Sequence, residues 1–224
     1  MTQLLSNQAC LPDLARLFPH KSKWVLVDDI PSSFKLHIDE EVLSSKMASK
    51  RLSDFKASRY CAKQVLLKLG IKEFPVLINQ HRAPIWPKNI VGSLSHCKKR
   101  CLAVIAKSGE IKAIGLDVET NKPIDQEQAA LICTRIDIEQ FKHYPNPYIA
   151  AKIIFSVKES IFKCLHPLYR KWIDFKDVDV LLDMQSQSYT ARPNCELQEF
   201  FGFNLIDGQW ISDKQHVYTS CWLK

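Results

Sequence analysis

The sequence predicts an α+β protein made of two similar α/β lobes, a pseudo-two-fold repeat, with the active site in the cleft between them. Three observations carry the prediction. Ile114-Gly115-Leu116-Asp117-Val118-Glu119 alternates apolar and polar residues, as a strand does when successive side chains leave opposite faces. Ile154, Val157, Ile161 and Leu165 recur at three- and four-residue steps, the period of a helix with one buried face. Each half then shows strand, turn and a helix rich in basic residues, and Phe55…Arg59…Lys63 in one half echoes Phe155…Lys158…Lys163 in the other. The expected division is an N-terminal lobe over residues 1–110 and a C-terminal lobe over residues 111–224.

Taken in order, residues 1–22 mix short apolar stretches with Pro12 and Pro19 and read as an N-terminal arm or edge. Residues 24–29 read as a strand closed by Pro31-Ser32-Ser33, and residues 39–46 as a short helix. A longer helix is expected over 49–69. Leu52, Phe55, Ala62, Val65, Leu66 and Leu69 mark one face, and Gly70 stands where a helix end wants positive φ. Residues 81–90 form a loop stiffened by Pro84 and Pro87. It leads into a strand over 91–96, where Gly92 and small hydroxyls let a ligand approach the backbone.

Residues 101–106 and 111–119 read as the arms of a hairpin around Lys107-Ser108-Gly109-Glu110. A helical stretch over 124–141 is broken by Pro145 and Pro147, and the helix over 150–165 is stopped by Pro167. Residues 177–183, 188–191, 199–205 and 217–223 read as closing strands.

Composition bounds the function. The chain has 224 residues, 46% hydrophobic and 25% charged, an ordinary globular content that suffices for a real core. A net charge of +7 points to acidic partners. No block of five or more basic residues concentrates that charge, which argues against nucleic acid; the densest clusters are 46–63 and Lys98-Lys99-Arg100. The eight cysteines are scattered without a C-x-x-C pair, and Met1 to Ser6 lack the features of a signal peptide, so reduced thiols in the cytoplasm are expected. Seven dispersed histidines make a zinc site a poor reading. No apolar run reaches the roughly 18 residues of a membrane span.

The chemistry concentrates in two segments. Asp117 and Glu119 leave one strand face about 6–7 Å apart at Cα, twice the strand rise. Such a pair suits a hard divalent cation that prefers carboxylate oxygens. The plain alternative is a solvated strand end before Thr120-Asn121-Lys122-Pro123. Glu159 and Lys163 lie one helical turn apart. They read either as a surface ion pair worth a few tenths of a kcal/mol, or as a metal or hydroxyl ligand followed by a phosphate-binding cation, with Lys158 as a second candidate. Arg51, Lys56, Arg59 and Lys63 form a basic helix surface, either solvated or converging on a phosphate. His96, at a strand end, is either a phosphate contact or a structural hydrogen-bonder.

Gly115-Leu116-Asp117-Val118-Glu119 followed by Phe155-Ser156-Val157-Lys158-Glu159-Ser160-Ile161-Phe162-Lys163 resembles the paired signature of the 4′-phosphopantetheinyl transferases. Trp86-Pro87 and Gly92-Ser93-Leu94-Ser95-His96-Cys97 resemble the subgroup that serves enterobactin-type siderophore synthesis in bacteria. That subgroup often carries glycine where Asn89 stands, and asparagine is the next best residue at positive φ. The motifs span residues 82–163.

The resemblance implies transfer of the phosphopantetheine arm of coenzyme A to a serine of an apo acyl, aryl or peptidyl carrier protein, releasing 3′,5′-ADP. It implies that Asp117, Glu119 and Glu159 hold Mg²⁺, with Mn²⁺ as the alternative, and that Lys163 and Lys158 neutralise the pyrophosphate. Glu159, or a metal-bound water that it orients, would be the base. Arg82, Ser95 and His96 would meet the coenzyme's phosphates, and Arg51, Arg59 or Lys63 its 3′-phosphate. A monomer in the cytoplasm, at most loosely associated with a membrane, is implied; so is an acidic carrier surface. The competing readings are a housekeeping transferase of fatty-acid carriers, a non-catalytic coenzyme A or carrier-binding module, and a basic nucleic-acid-binding protein. Asp117→Ala is expected to abolish transfer and leave the fold intact.

Overall fold

The computed structural model describes residues 13–224; the readings made for residues 1–12 lie outside it. The first lobe contains β1 (Lys23–Val27), α1 (Ile38–Ser44), α2 (Ser49–Leu67), β2 (Ile90–Cys97) and β3 (Arg100–Lys107). Its antiparallel sheet has the order β1-β3-β2. One face of α2 (Cys61, Ala62, Val65, Leu66) packs with Ala103 and Ile105 of the central strand. Gly70 takes φ 77°, and Ile71 N–H donates to the Leu66 carbonyl at 3.1 Å, closing the helix as expected. Asn89 likewise takes φ 65°.

The second lobe contains β4 (Ala113–Thr120), α3 (Gln126–Ile132), α4 (Arg135–Glu139), α5 (Pro147–Tyr169), β5 (Val178–Asp183), β6 (Ser188–Pro193), α6 (Cys195–Phe201), β7 (Ile206–Ser212) and β8 (His216–Leu223). Its antiparallel sheet has the order β4-β8-β7-β6-β5. Ile154, Val157, Ile161 and Leu165 of α5 are fully buried. Gly115 is where the helix crosses β4 most closely, since a Cβ there would stand 1.9 Å from the Ser160 carbonyl oxygen. Asp137 and Gln140 accept the N–H groups of Val180 and Leu182, and Tyr144 donates to the Leu182 carbonyl. These side chains seal the β5 edge that would otherwise be open to pairing.

Four expectations need correction. Residues 107–110 do turn, with Glu110 N–H donating to the Lys107 carbonyl at 2.9 Å, but the strands on either side join different sheets. The hairpin is β2–β3, turning through Lys98 at φ 55°. The helical stretch over 124–141 is split because Thr134 accepts from Asp137 N–H and starts α4 afresh. Pro147 opens α5 instead of preceding it, because a first-turn residue has no helical hydrogen bond to lose; Pro167 falls inside the last turn, and Arg170 at φ 53° ends the helix. Residues 199–205 are not a strand. Asn194 caps α6 through Leu197 N–H at 2.9 Å, Gly202 ends it at φ 75°, and its phenylalanines pack on Tyr169.

The lobes meet along β2 and β4 without a backbone ladder. Ser93 Oγ accepts from Leu116 N–H at 3.1 Å, and Ser95 Oγ from Val118 N–H at 3.3 Å. Among the described residues no helix is long and apolar enough to cross a membrane.

Candidate active site

Two cavities open between the lobes and share Leu94, Glu159 and Lys163 in their walls. The smaller, about 390 Å³, is lined by Ser95 and His96 of β2, Asp117 and Glu119 of β4, and Phe155, Glu159 and Lys163 of α5. The larger, about 770 Å³, lies between Arg82, Pro84 and Trp86 on one side and Phe162, His166 and Leu168 on the other.

The strand alternation places Ile114, Leu116 and Val118 in the core between the lobes and turns Asp117 toward α5. Asp117 is 3% exposed, which removes the reading of a solvated strand end. Its Oδ1 accepts from Lys163 Nζ at 2.7 Å and Ser95 Oγ at 2.8 Å, and its Oδ2 from Ser156 Oγ at 2.8 Å. Glu119 accepts from Lys152 Nζ at 3.3 Å. The Glu159 carboxylate makes no hydrogen bond to the described residues.

Burial pushes the Glu119 carboxyl above its ordinary value, and the charge of Asp117 adds to this against Lys152 and Lys163. Burial also raises Glu159; Lys163 opposes the shift, while Asp117 and Glu119 reinforce it. The charges facing this cavity therefore oppose ionisation of Glu119 and Glu159, a conflict that a divalent cation relieves. Their hard oxygen donors fit Mg²⁺ in kind. Among the described residues no three such side chains form a ready ligand cage; Asp117 and Glu119 are held by Lys163 and Lys152 instead.

The other expected residues separate. Ser95 and His96 line the smaller cavity, His96 with Nε2 3.5 Å from Asp54 Oδ2. Arg82, at φ 64°, lines the larger. Gly92 lines the larger cavity as well, and a Cβ there would stand 2.7 Å from the Val104 carbonyl oxygen and 2.8 Å from the Trp86 ring. Arg51 and Lys63 are exposed on α2 and line neither cavity. Arg59 is buried with its guanidinium 4.2 Å from the Phe55 ring centre, its Nε without a partner, and its pKa brought down to about 10 chiefly by burial. It too lies outside both cavity walls.

Lys158 is a correction. Its ammonium donates to the Ile132 carbonyl, Asp137 Oδ2 and the Phe175 carbonyl, so all three protons are used inside the lobe. It leaves no proton for a phosphate.

Sequence reasoning missed Lys152 and Ser156, which hold Glu119 and Asp117. The signal was present: Lys152, Ser156, Glu159 and Lys163 form a polar row at successive three- and four-residue steps along α5.

A family model described as the 4′-phosphopantetheinyl transferase N-terminal domain matches residues 39–106, and one described as the 4′-phosphopantetheinyl transferase superfamily matches residues 113–219. The 4′-phosphopantetheinyl transferase Svp of Streptomyces mobaraensis is 28% identical over 191 residues, covering 81% of this chain and 76% of that protein. The 4′-phosphopantetheinyl transferase Npt of Nocardia iowensis is 30% identical over 162 residues, covering 71% and 72%. Enterobactin synthase component D of Salmonella typhi is 33% identical over 120 residues, covering 51% and 48%. By these matches across both lobes, the chain belongs to the 4′-phosphopantetheinyl transferase family.

Proposed function

We propose that the smaller cavity is where the phosphopantetheine arm of coenzyme A is transferred to a serine of an apo carrier protein, in a reaction dependent on Mg²⁺. The observation that carries the proposal is the meeting of Asp117, Glu119 and Glu159 with Lys163, Ser95 and His96 around one cavity between the lobes. Asp117, Glu119 and Glu159 would hold the cation, which supplies positive charge against the diphosphate oxygens. Lys163 has two of its three protons committed, to Asp117 and Ser95, and offers the third to a phosphate. The Glu159 carboxylate, free of protein hydrogen bonds and with raised proton affinity, takes the proton of the attacking serine hydroxyl. The serine oxygen bonds to the β-phosphorus as the bond to the departing 3′,5′-ADP breaks.

His96 and Arg82 meet the coenzyme's phosphates, and the larger cavity takes the coenzyme beyond the diphosphate. One chain carries every proposed group, so a monomer suffices. The buried free thiols Cys61, Cys101, Cys164 and Cys221 suit a reducing cytoplasm. Aryl or peptidyl carriers of siderophore or other nonribosomal peptide synthesis are the proposed substrates, in keeping with the relatives named enterobactin synthase component D. The test is the intact mass of an apo aryl carrier domain after incubation with this protein, coenzyme A and Mg²⁺, with and without EDTA. Gain of one phosphopantetheine arm, lost with EDTA, is expected; no gain on aryl, peptidyl or acyl carriers would refute the proposal.

A further inference from the structure

Three turns meet at the end of the cleft beside Glu119. Lys98 and Lys99 make the β2–β3 turn, two and three residues past His96. Lys122 follows β4, three residues past Glu119, and Lys214 lies in the β7–β8 turn. Asp213 gathers these turns. Its Oδ2 accepts from Tyr218 Oη at 2.9 Å and from Arg100 Nη1 at 3.3 Å, and its carbonyl accepts from Asn121 Nδ2 at 2.6 Å. Asn121 N–H also donates to the Gln215 carbonyl at 2.7 Å. The first two turns continue β2 and β4, which line the smaller cavity, and the third continues β8, which pairs with β4 through Thr120 and His216.

All four lysines are exposed, and none forms an ion pair among the described residues. The acids around them are otherwise engaged. Asp28 and Asp213 hold Arg100, Glu119 holds Lys152, and Asp125 caps α3. Exposed Asp29, just past β1, offsets one of the four charges. What results is a positive rim fixed to the mouth of the candidate site, on a chain of net charge +7.

We propose that Lys98, Lys99, Lys122 and Lys214 form the docking surface for an acidic protein face, that of the carrier whose serine enters the cleft. The proposal rests on the transferase reading and adds where the protein substrate lands. Protein is favoured over a coenzyme phosphate because none of the four lysines lines either cavity and none is held by a fixed partner. Exposed ammonium groups spread over three turns act through their summed field, which orients and speeds an encounter between surfaces.

The test compares the wild type with Lys98→Glu/Lys99→Glu and with Lys122→Glu, using an apo aryl carrier domain of net negative charge as probe. At low ionic strength KM for the carrier should rise roughly tenfold in the double variant and less in the single one, with KM for coenzyme A unchanged. The difference should close in about 1 M NaCl, where the screening length falls to about 3 Å. Equal carrier KM values at low salt would overturn the rim. A rise confined to coenzyme A and absent with dephospho-coenzyme A would overturn it in favour of a phosphate site. If the wild type modifies no carrier, the transferase reading falls separately, and calorimetric binding of the same carrier to the three proteins still decides the rim: weaker binding by the variants supports it and equal binding ends it.

Discussion

Lys158 Nζ lies 2.5 Å from Asp137 Oδ2, with the two side chains 3% and 0% exposed. Burial draws the lysine's pKa down and the carboxylate of Asp137 works against it. Asp137 also accepts Thr134 N–H and Val180 N–H, while Lys158 bonds the Ile132 and Phe175 carbonyls. One pair thus fastens α3, α4 and β5 to α5. Removing one member strands a buried charge. Lys158→Met should cost about 3–5 kcal/mol in urea unfolding, and Lys158→Met/Asp137→Leu should regain much of it. A single variant as stable as the wild type would contradict this.

Gly115 and Ser160 set how closely β4 and α5 approach. In Gly115→Ala the new methyl would stand 1.9 Å from the Ser160 carbonyl oxygen and 2.6 Å from Cys164 N, both backbone atoms of a helix pinned by its apolar face. Overpacking of this kind costs about 1–3 kcal/mol where side chains can yield, and here backbone must move. A lowered melting temperature together with lost transfer is expected, because Glu159 and Lys163 shift with the helix. Ser220→Ala, a neighbouring change in β8 that adds no volume, should leave transfer in place.

Much of the site could be read from the sequence because its motifs are local. Alternation over 114–119 separates Leu116 from Asp117, and helical spacing puts Glu159 and Lys163 one turn apart. What the sequence hides is pairing over long separations. Nothing local says that Lys158 faces Asp137 rather than the cavity, or that β4 leaves β3 to pair with β8. The aromatic run near Phe200 has strand propensity, yet capping by Asn194 and Gly202 together with packing on Tyr169 makes it helical. Arg59 has the look of a surface cation on α2, and only the tertiary fold tucks it onto Phe55.

The raised proton affinities of Glu119 and Glu159 give a pH dependence of defined sign. An acid whose folded pKa lies above its unfolded value binds more protons in the folded state between the two. Its contribution to stability therefore falls as pH rises through that window, here from the ordinary glutamate value of 4.5 up to each raised value. In EDTA, Glu159→Gln should melt above the wild type at neutral pH, and the gap should narrow as pH falls through the window. Transfer by the same variant should be lost. A variant less stable than the wild type at neutral pH in EDTA would show that Glu159 is not held against its neighbours.

Asp117 is the shared acceptor of three donors as well as a proposed metal ligand, and this changes what its removal should do. Asp117→Ala deprives Ser95, Ser156 and Lys163 of one shared acceptor in a buried setting. The fold is then not spared, as the sequence alone suggested, and a loss of about 1–3 kcal/mol is expected from the unpaired groups. Asp117→Asn keeps the shape and an acceptor oxygen, so it should retain most of the stability while losing transfer. Lys163→Ala frees Asp117 from its ion pair and takes away the cation nearest the cavity. Loss of one positioned charge at a reacting phosphate lowers kcat by about 10²–10³-fold. For Lys163→Ala we expect that fall with a higher KM for coenzyme A and a carrier KM close to the wild type. Steady-state rates with each substrate varied in turn decide it, since an unchanged response to coenzyme A would leave Lys163 as a structural partner of Asp117 alone.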